Sequence, residues 1–247
     1  MNRRKILAFA VGPILGAALS IVALLMIGWY FSPEDVGRNN VFQIFTSFSI
    51  LLLVLGLDQA YVREFHEVDD RFRLFKACFF PGTLFLFIFI ISTLPFSGEI
   101  SVLLYGENNP LWYWVTIFCV AFSFLSRYLS LVVRMQERGL AYSASQIIPK
   151  IAVLCILGSY ILFGAARSYA NLLYANLLSM FFVTLVFGWN TRKDWMRAIK
   201  SKIDPAEQKK LLKFGAPLIG AGIAYWGLSA TSTIAIRVFS NFHELGV

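Results

Sequence analysis

Residues 9–17 read FAVGPILGA, and residues 214–221 read FGAPLIGA, so the same proline and glycine pattern occurs near both ends of the chain. Each motif is followed by a long apolar run and then by Phe-Ser, at residues 31–32 and 239–240. A repeat with a period of about 200 residues is too long for a solenoid and is typical of membrane transporters built from two related bundles. The sequence therefore predicts one bundle followed by the first helix of a second.

The composition indicates a membrane protein. Of 247 residues, 58% are hydrophobic, 24 are phenylalanine and 15% are charged. The apolar residues form continuous blocks, whereas the strands of a membrane barrel alternate over about ten residues. The blocks that fit a helical span of about 20 residues are 7–31, 41–57, 74–95, 111–133, 142–163, 169–189 and 214–238. The predicted fold is all-α: a polytopic membrane helical bundle with a six-helix half and a seventh helix that begins a parallel repeat.

The same pattern divides the chain into three parts. We expect a six-helix transmembrane bundle at residues 1–190, a basic cytoplasmic linker at 191–212, and the first helix of a second, truncated bundle at 213–247. A cavity between two bundles needs both of them, so we expect the complete transporter to contain further spans beyond residue 247.

The linker has the pattern of an amphipathic helix. Trp195, Met196 and Ile199 fall on one side and basic residues fall on the other, which favours a segment lying on an anionic cytoplasmic leaflet. Asp204 and Pro205 then supply a cap and a first-turn proline for the seventh span.

Basic residues predict the orientation of the bundle. They are concentrated in alternate connections: Arg3, Arg4, Lys5, Arg63, Arg71, Arg73, Lys76, Arg134, Arg138 and the linker. By the positive-inside rule, these connections and the amino terminus are cytoplasmic. Six spans separate the two copies of the motif, so both copies enter the membrane from the same side. The net charge of +8 follows from this topology and from anionic lipid, and it needs no nucleic-acid partner.

Pro13 and Pro217 occupy matching places in the two copies. Proline removes a backbone donor and kinks a helix, while the Gly12 and Gly16 pair allows close approach of a neighbouring helix. Two interpretations stay open: a packing face with a tolerated proline, or a hinge for the rocking motion of a transporter. A packing face is the more common role of such a motif, and the repetition of the proline in both copies adds support for a hinge.

Two further stretches surround the second span. The sequence FSPEDVG, at residues 31–37, predicts a short solvated reversal, because proline and glycine favour turns. The sequence GLDQAYVREF, at residues 56–65, places Gln59 and Arg63 on one helical face. Asp58 also lies in this stretch. A helix that simply leaves the membrane does not need such closely spaced polar residues, which makes the stretch a candidate functional site.

These motifs carry a family resemblance. GPILG in the first span, FSPEDVG after it and GLDQAYVREF one span later resemble the polysaccharide-biosynthesis flippases, which translocate O-antigen and related lipid-linked oligosaccharides. The tail from residue 214 resembles the start of that family's second half. The resemblance implies two six-helix bundles facing a central cavity, the fold of the multidrug and polysaccharide exporters. It also implies a bacterial inner membrane, an undecaprenyl-diphosphate-linked sugar as cargo, and a polysaccharide polymerase and chain-length regulator as candidate partners.

The fourth predicted span carries a polar stripe inside the membrane. Its members fall on one helical face: Thr116, Ser123, Arg127, Ser130 and Arg134. Arg127 lies about 24 Å along this span from its outer end. An arginine at such a depth costs about 2.5 to 3.5 kcal/mol on insertion scales, which favours a role in a water-filled cavity. The alternative is that its long side chain extends to the cytoplasmic headgroups.

We therefore predict a site for the cargo diphosphate in a cytoplasm-facing cavity. Its residues are Arg63, Arg127, Lys150, Gln59, Ser123, Ser130 and Arg134, with Asp58 as a candidate for ion coupling. The three cysteines are isolated within spans, so the sequence predicts no metal site and no cofactor. It contains no P-loop, so energy has to come from a gradient or from the cargo.

Two other functions stay open. A cation-coupled multidrug exporter of the same fold needs carboxylates within its spans, and Asp58 is the only candidate. A membrane-embedded polymerase or glycosyltransferase needs catalytic acids on a long outer loop, whereas the predicted outer loops are short. The sequence therefore favours a flippase, which is a transporter and not an enzyme.

Overall fold

The computed structural model describes residues 3–246, which form eleven α-helices and one short 3-10 helix without any β-strand. The all-α prediction is confirmed. The helices are α1 (Arg3–Tyr30), α2 (Pro33–Val54), α3 (Leu57–Glu64), α4 (Arg71–Thr93), α5 (Ser97–Tyr105), α6 (Pro110–Met135), α7 (Gly139–Leu162), α8 (Tyr169–Asn190), α9 (Arg192–Lys200), α10 (Pro205–Phe239) and α11 (Phe242–Gly246), with the 3-10 helix (Leu94–Phe96) between α4 and α5.

Six helical stretches of the described chain are long and apolar enough to cross a membrane, and the pair α2 and α3 makes a seventh if the two form one bent span. The polytopic helical bundle is thus confirmed. One span is longer than predicted, because α4, the 3-10 helix and α5 together give an apolar stretch of 35 residues, Arg71–Tyr105. The division of the chain into two bundles and a linker stays a prediction.

The predicted solvated turn at residues 31–37 is wrong. Ser32 caps α2, which begins at Pro33, so Gly37 lies inside the helix. The carboxylate of Asp35 is buried, where it accepts hydrogen bonds from the Ser32 hydroxyl at 2.6 Å and from the Tyr169 backbone N–H at 2.9 Å. The reversal between α1 and α2 therefore needs only two residues, because a side-chain cap replaces the expected turn.

A break separates α2 from α3 and turns the chain by 50°. Leu55 and Gly56 both have left-handed backbone conformations, with φ values of 53° and 67°. A side chain on Gly56 would come within 2.6 Å of the carbonyl oxygen of Gly215 in α10. The break is therefore also the place where α10 crosses the first bundle in direct backbone contact.

Helix α6 runs through the main hydrophobic core of the bundle. Its residues Val120, Phe124 and Tyr128 are almost completely buried, and they pack with α3 and α4. The Phe79 ring of α4 stacks on Phe124 at a centroid distance of 5.4 Å. The apolar face of α6 is thus fixed in the core, and its polar face lies toward α7.

Helix α1 packs on α7 at the first proline. The hydroxyl of Ser143 accepts the Gly12 N–H at 3.0 Å and donates to the Ala8 carbonyl, so it bridges two groups that are one helical turn apart. A side chain at Gly12 would lie 2.6 Å from the Ser143 Cα atom. The Gly12 position of this motif is therefore a close contact between α1 and α7. Helices α1 and α10 both continue through Pro13 and Pro217, and the role of these prolines as hinges stays a prediction.

Helix α11 packs against the start of α2 in a reciprocal contact. Gly37 lies against the Phe242 carbonyl, and Gly246 lies against the Pro33 carbonyl, so closely that a side chain at either glycine would overlap the opposing backbone. Pro33 and Phe242 are the first residues of their helices, and the two glycines are the fifth. Equivalent positions of two helices that follow the repeated motif thus contact each other.

At the opposite end of the bundle, α9 lies across α4 and α8. The Lys76 ammonium of α4 donates to the carbonyl oxygens of Ile199 and Ser201 at 2.7 Å each, which satisfies two carbonyls at the carboxyl end of α9. Trp195 donates its indole N–H to the Gly188 carbonyl at 2.9 Å. Asp204 caps α10, as predicted, by accepting the Ala206 N–H at 2.9 Å.

Candidate functional site

An ion pair between α3 and α6 is the centre of the candidate site. Arg127 directs two N–H groups at one oxygen of Asp58, with an Nη2–Oδ2 distance of 2.6 Å and an Nε–Oδ2 distance of 3.2 Å. The other carboxylate oxygen accepts the backbone N–H of Gln59 at 2.9 Å. The Asp58 side chain is 5% exposed and that of Arg127 is 48% exposed. The guanidinium therefore retains donors on its open side.

The break in the second span explains the position of Asp58. Because the chain restarts as a helix at Leu57, Asp58 lies in the first turn of α3. A carboxylate is stabilised there by the positive end of the helix dipole. A buried charge also needs a partner, and Arg127 on the free face of α6 supplies it. The local fold thus brings together two charges that are separated by 69 residues in sequence.

Two cavities lie on either side of this ion pair. The first, which we call the charged cavity, has a volume of about 320 Å³ and includes Gln59, Ser130 and Arg134 in its lining. The second, the aromatic cavity, has a volume of about 470 Å³ and extends to α10. Asp58, Gln59 and Arg127 line both cavities, so the ion pair stands between them.

The aromatic cavity combines rings with hydroxyl groups. Trp226 of α10 lies 4.4 Å from Phe48 between ring centroids and donates its indole N–H to the Ser47 hydroxyl at 3.1 Å. Tyr225 and Ser229 also line this cavity. Rings offer flat apolar faces and hydroxyls can both donate and accept, so this wall can contact a ligand with apolar and polar faces.

The structure brings four of the predicted diphosphate residues together. Gln59, Arg127, Ser130 and Arg134 line the charged cavity with Asp58. Arg127 forms an ion pair with Asp58 of the neighbouring helix α3. This pair was part of neither alternative for Arg127, a role in a water-filled cavity or a side chain that extends to the headgroups. The binding roles of these residues stay predictions.

The other predicted residues lie elsewhere. Arg63 stacks on Phe214, with its guanidinium carbon 4.7 Å from the ring centroid, and lines a separate pocket between α3 and α10. Within the described chain, Ser123 and Lys150 are not among the residues that line the charged cavity. Thr116 is buried in the core, where its hydroxyl lies 2.5 Å from that of Tyr105. The polar stripe therefore belongs to the cavity only over its carboxyl-terminal half.

Sequence reasoning also missed part of the lining. Ser145 of α7 faces the charged cavity, and Trp226 of α10 faces the aromatic one. A signal for Trp226 exists in the sequence, because the Tyr225 and Trp226 pair interrupts a run of small residues in α10. No comparable local pattern distinguishes Ser145 from other serines in spans.

Comparison with known protein families identifies the family of this chain. The model of a family described as polysaccharide biosynthesis protein matches residues 3–247. Searches among curated proteins and among solved structures return no match. The family match covers nearly all of the sequence and confirms the resemblance drawn from its motifs. The chain therefore belongs to the polysaccharide biosynthesis protein family.

Proposed function

We propose that this chain is part of a transporter that flips an undecaprenyl-diphosphate-linked oligosaccharide, such as an O-antigen or capsule unit, across the bacterial inner membrane. Its family has a role in polysaccharide synthesis, and the members are generally transporters rather than enzymes. In this proposal the basic end of the bundle and the amino terminus face the cytoplasm, in accordance with the positive-inside rule. Contacts with a polysaccharide polymerase or a chain-length regulator remain predictions.

The observation that carries the proposal is the ion pair between the two cavities, in which Asp58 is buried and Arg127 is half-exposed. Among the lining residues of the charged cavity, Arg127 and Arg134 outweigh the single acid Asp58. An excess of positive charge favours an anionic cargo over a cationic drug, which supports the flippase over the multidrug alternative. A guanidinium binds phosphate oxygens in a bidentate manner, so Arg127 can contact a diphosphate.

Asp58 gives this site two states. In the absence of cargo its carboxylate holds Arg127 and compensates a charge that is costly inside a membrane. A diphosphate with several oxygens competes with the single carboxylate for the same donors. Displaced from Arg127, Asp58 becomes available to a proton or a cation, which is how it would couple transport to a gradient. The aromatic cavity then lies beside the diphosphate, where rings and hydroxyls suit the first sugar.

Substitution of Arg127 tests the proposal. The protein as its gene encodes it is expressed in a bacterial strain that lacks its own translocase, and surface polysaccharide is measured at matched protein levels. Arg127→Ala should insert normally, because removal of an intramembrane charge favours insertion, yet it should abolish export. Arg127→Lys should retain part of the export, since it keeps the charge but loses the bidentate geometry.

Arg138→Ala is the matched control. It also removes a predicted cytoplasmic-side arginine, but Arg138 is exposed and lines neither cavity. Export should stay within about twofold of the wild type. Near-normal export by Arg127→Ala, or an equal loss in both variants, would contradict the role of the ion pair.

A further inference from the structure

An apolar groove lies on the outside of the bundle, between α4, α6 and α8. It has a volume of about 520 Å³, within the range of ligand sites. Phe79, Phe80, Leu125 and Leu129 form much of its wall, and Gly188 of α8 leaves part of it open. The groove is almost free of polar groups, so its occupant has to be apolar over most of its length.

Helix α9 closes one end of this groove. Trp195 and Ile199 of α9 line it, and Lys76 of α4 lies at the same end. The Lys76 ammonium uses two of its three donors on the carbonyl oxygens at the end of α9. The third donor remains for a ligand. Between Lys76 and Thr83, which both line the groove on α4, the helix rises about 10 Å.

The groove is separate from the candidate cargo site. Leu125 and Leu129 of α6 face the groove, whereas Arg127 and Ser130 of the same helix line the charged cavity. Helix α6 therefore separates the groove from the charged cavity, and its buried Tyr128 lies between them. A molecule in the groove does not occupy the place of a molecule bound at the Asp58–Arg127 pair.

The charge around the closed end identifies the occupant. Helix α9 and its flank carry a set of basic residues against a single acid, Asp194: Arg192, Lys193, Arg197, Lys200 and Lys202. Basic residues of this kind at a membrane surface attract anionic lipids. We propose that the groove holds one acyl chain of an anionic phospholipid of the bilayer, with its phosphate at Lys76 and its chain directed from α9 toward Thr83.

The first test uses the unmodified protein. The whole chain is purified in detergent, supplied with phosphatidylglycerol or phosphatidylcholine of the same acyl chains, and examined by native mass spectrometry. One phosphatidylglycerol should remain bound under conditions that remove phosphatidylcholine. A phosphatidylglycerol with a photoreactive acyl chain should label peptides from α4 and α8. Equal retention of the two lipids, or labelling spread evenly over the spans, would overturn the proposal.

Two substitutions then separate the chain site from the phosphate site. Gly188→Leu fills the groove and should lower phosphatidylglycerol retention at least fivefold. Gly158→Leu is its control, because Gly158 lies in a helix with open space around it and outside the groove. Lys76→Gln should reduce the preference for phosphatidylglycerol over phosphatidylcholine, whereas Lys209→Gln, which changes an exposed lysine of α10 outside the groove lining, should not.

Labelling of the wild-type groove keeps the proposal testable if Gly188→Leu folds poorly. A polyprenyl phosphate that displaces phosphatidylglycerol from the labelled peptides would identify the cargo lipid as the occupant and overturn the assignment to a bilayer phospholipid.

Discussion

The two ends of the bundle are held together in different ways. At the α11 end, α2 and α11 meet backbone to backbone, with Gly37 and Gly246 at the contact. At the α9 end, α10 is joined to the first helices by long side chains: Lys210 pairs with Glu64 at 2.9 Å and Glu207 with Arg73 at 2.9 Å. A backbone contact has no side chain that can move away, whereas an ion pair between long side chains can re-form at another distance. The contact between α2 and α11 is therefore sensitive to a single methyl group, whereas these two ion pairs are adaptable.

The largest effect is expected at the α11 end. Gly37→Ala places a methyl group on the carbonyl of Phe242, so the two helices have to separate. Overpacking of this kind typically costs about 1–3 kcal/mol. Thermal unfolding in detergent should show a lower midpoint, and a disulfide between Asn40→Cys and Leu245→Cys, whose parent residues share a hydrogen bond of 3.1 Å, should form less completely.

The control for that prediction is Gly227→Ala. Gly227 also lies in a helix, but nothing comes within 4 Å of its added methyl group. This variant should unfold at or above the wild-type temperature, because alanine favours helix more than glycine. If Gly37→Ala were as stable as Gly227→Ala, the reciprocal contact would not contribute to the stability of this end of the bundle.

A smaller effect is expected at the first proline. Ser143→Ala removes the hydroxyl that joins Gly12 and Ala8, and a hydrogen bond of this kind contributes about 1 kcal/mol. The unfolding midpoint should fall modestly. Ser159→Ala on the same helix serves as the comparison, since its hydroxyl bonds only the Ile156 carbonyl of its own helix. A drop of equal size in both variants would argue against a specific bridge between α1 and α7.

The smallest effect is expected for the ion pair at the α9 end. The Lys210 side chain is 66% exposed and is screened by solvent, whereas Glu64 is 10% exposed and keeps Arg63 as a second cation at 3.9 Å. We therefore expect this pair to contribute about 1 kcal/mol or less. Lys210→Gln should therefore shift the unfolding midpoint little, and the shift should vanish at high salt because salt screens surface charges. A large shift that persists in salt would show that the two ends are equally rigid.

The sequence predicted those features that depend on neighbouring residues. Span lengths, the cap at Asp204 and the polar face of α6 are local patterns of hydropathy and spacing. Burial of Asp35 was not predicted, because its partner Tyr169 is 134 residues away. The pairing of Asp58 with Arg127 and the position of Arg63 on Phe214 likewise depend on how α3 turns after the break. Composition alone marked these residues as polar but did not show which side of the bundle they face.

The reciprocal contact between α2 and α11 also bears on the origin of the fold. Two copies of one helix start that contact each other at equivalent positions have the geometry of an isologous interface, in which a surface is complementary to itself. A gene duplication that produced the predicted repeat would preserve such a contact, which a homodimer of single bundles related by a two-fold axis can already form. After fusion, a change at the fifth residue of either helix is opposed by the first residue of the other, so the two copies cannot diverge independently there.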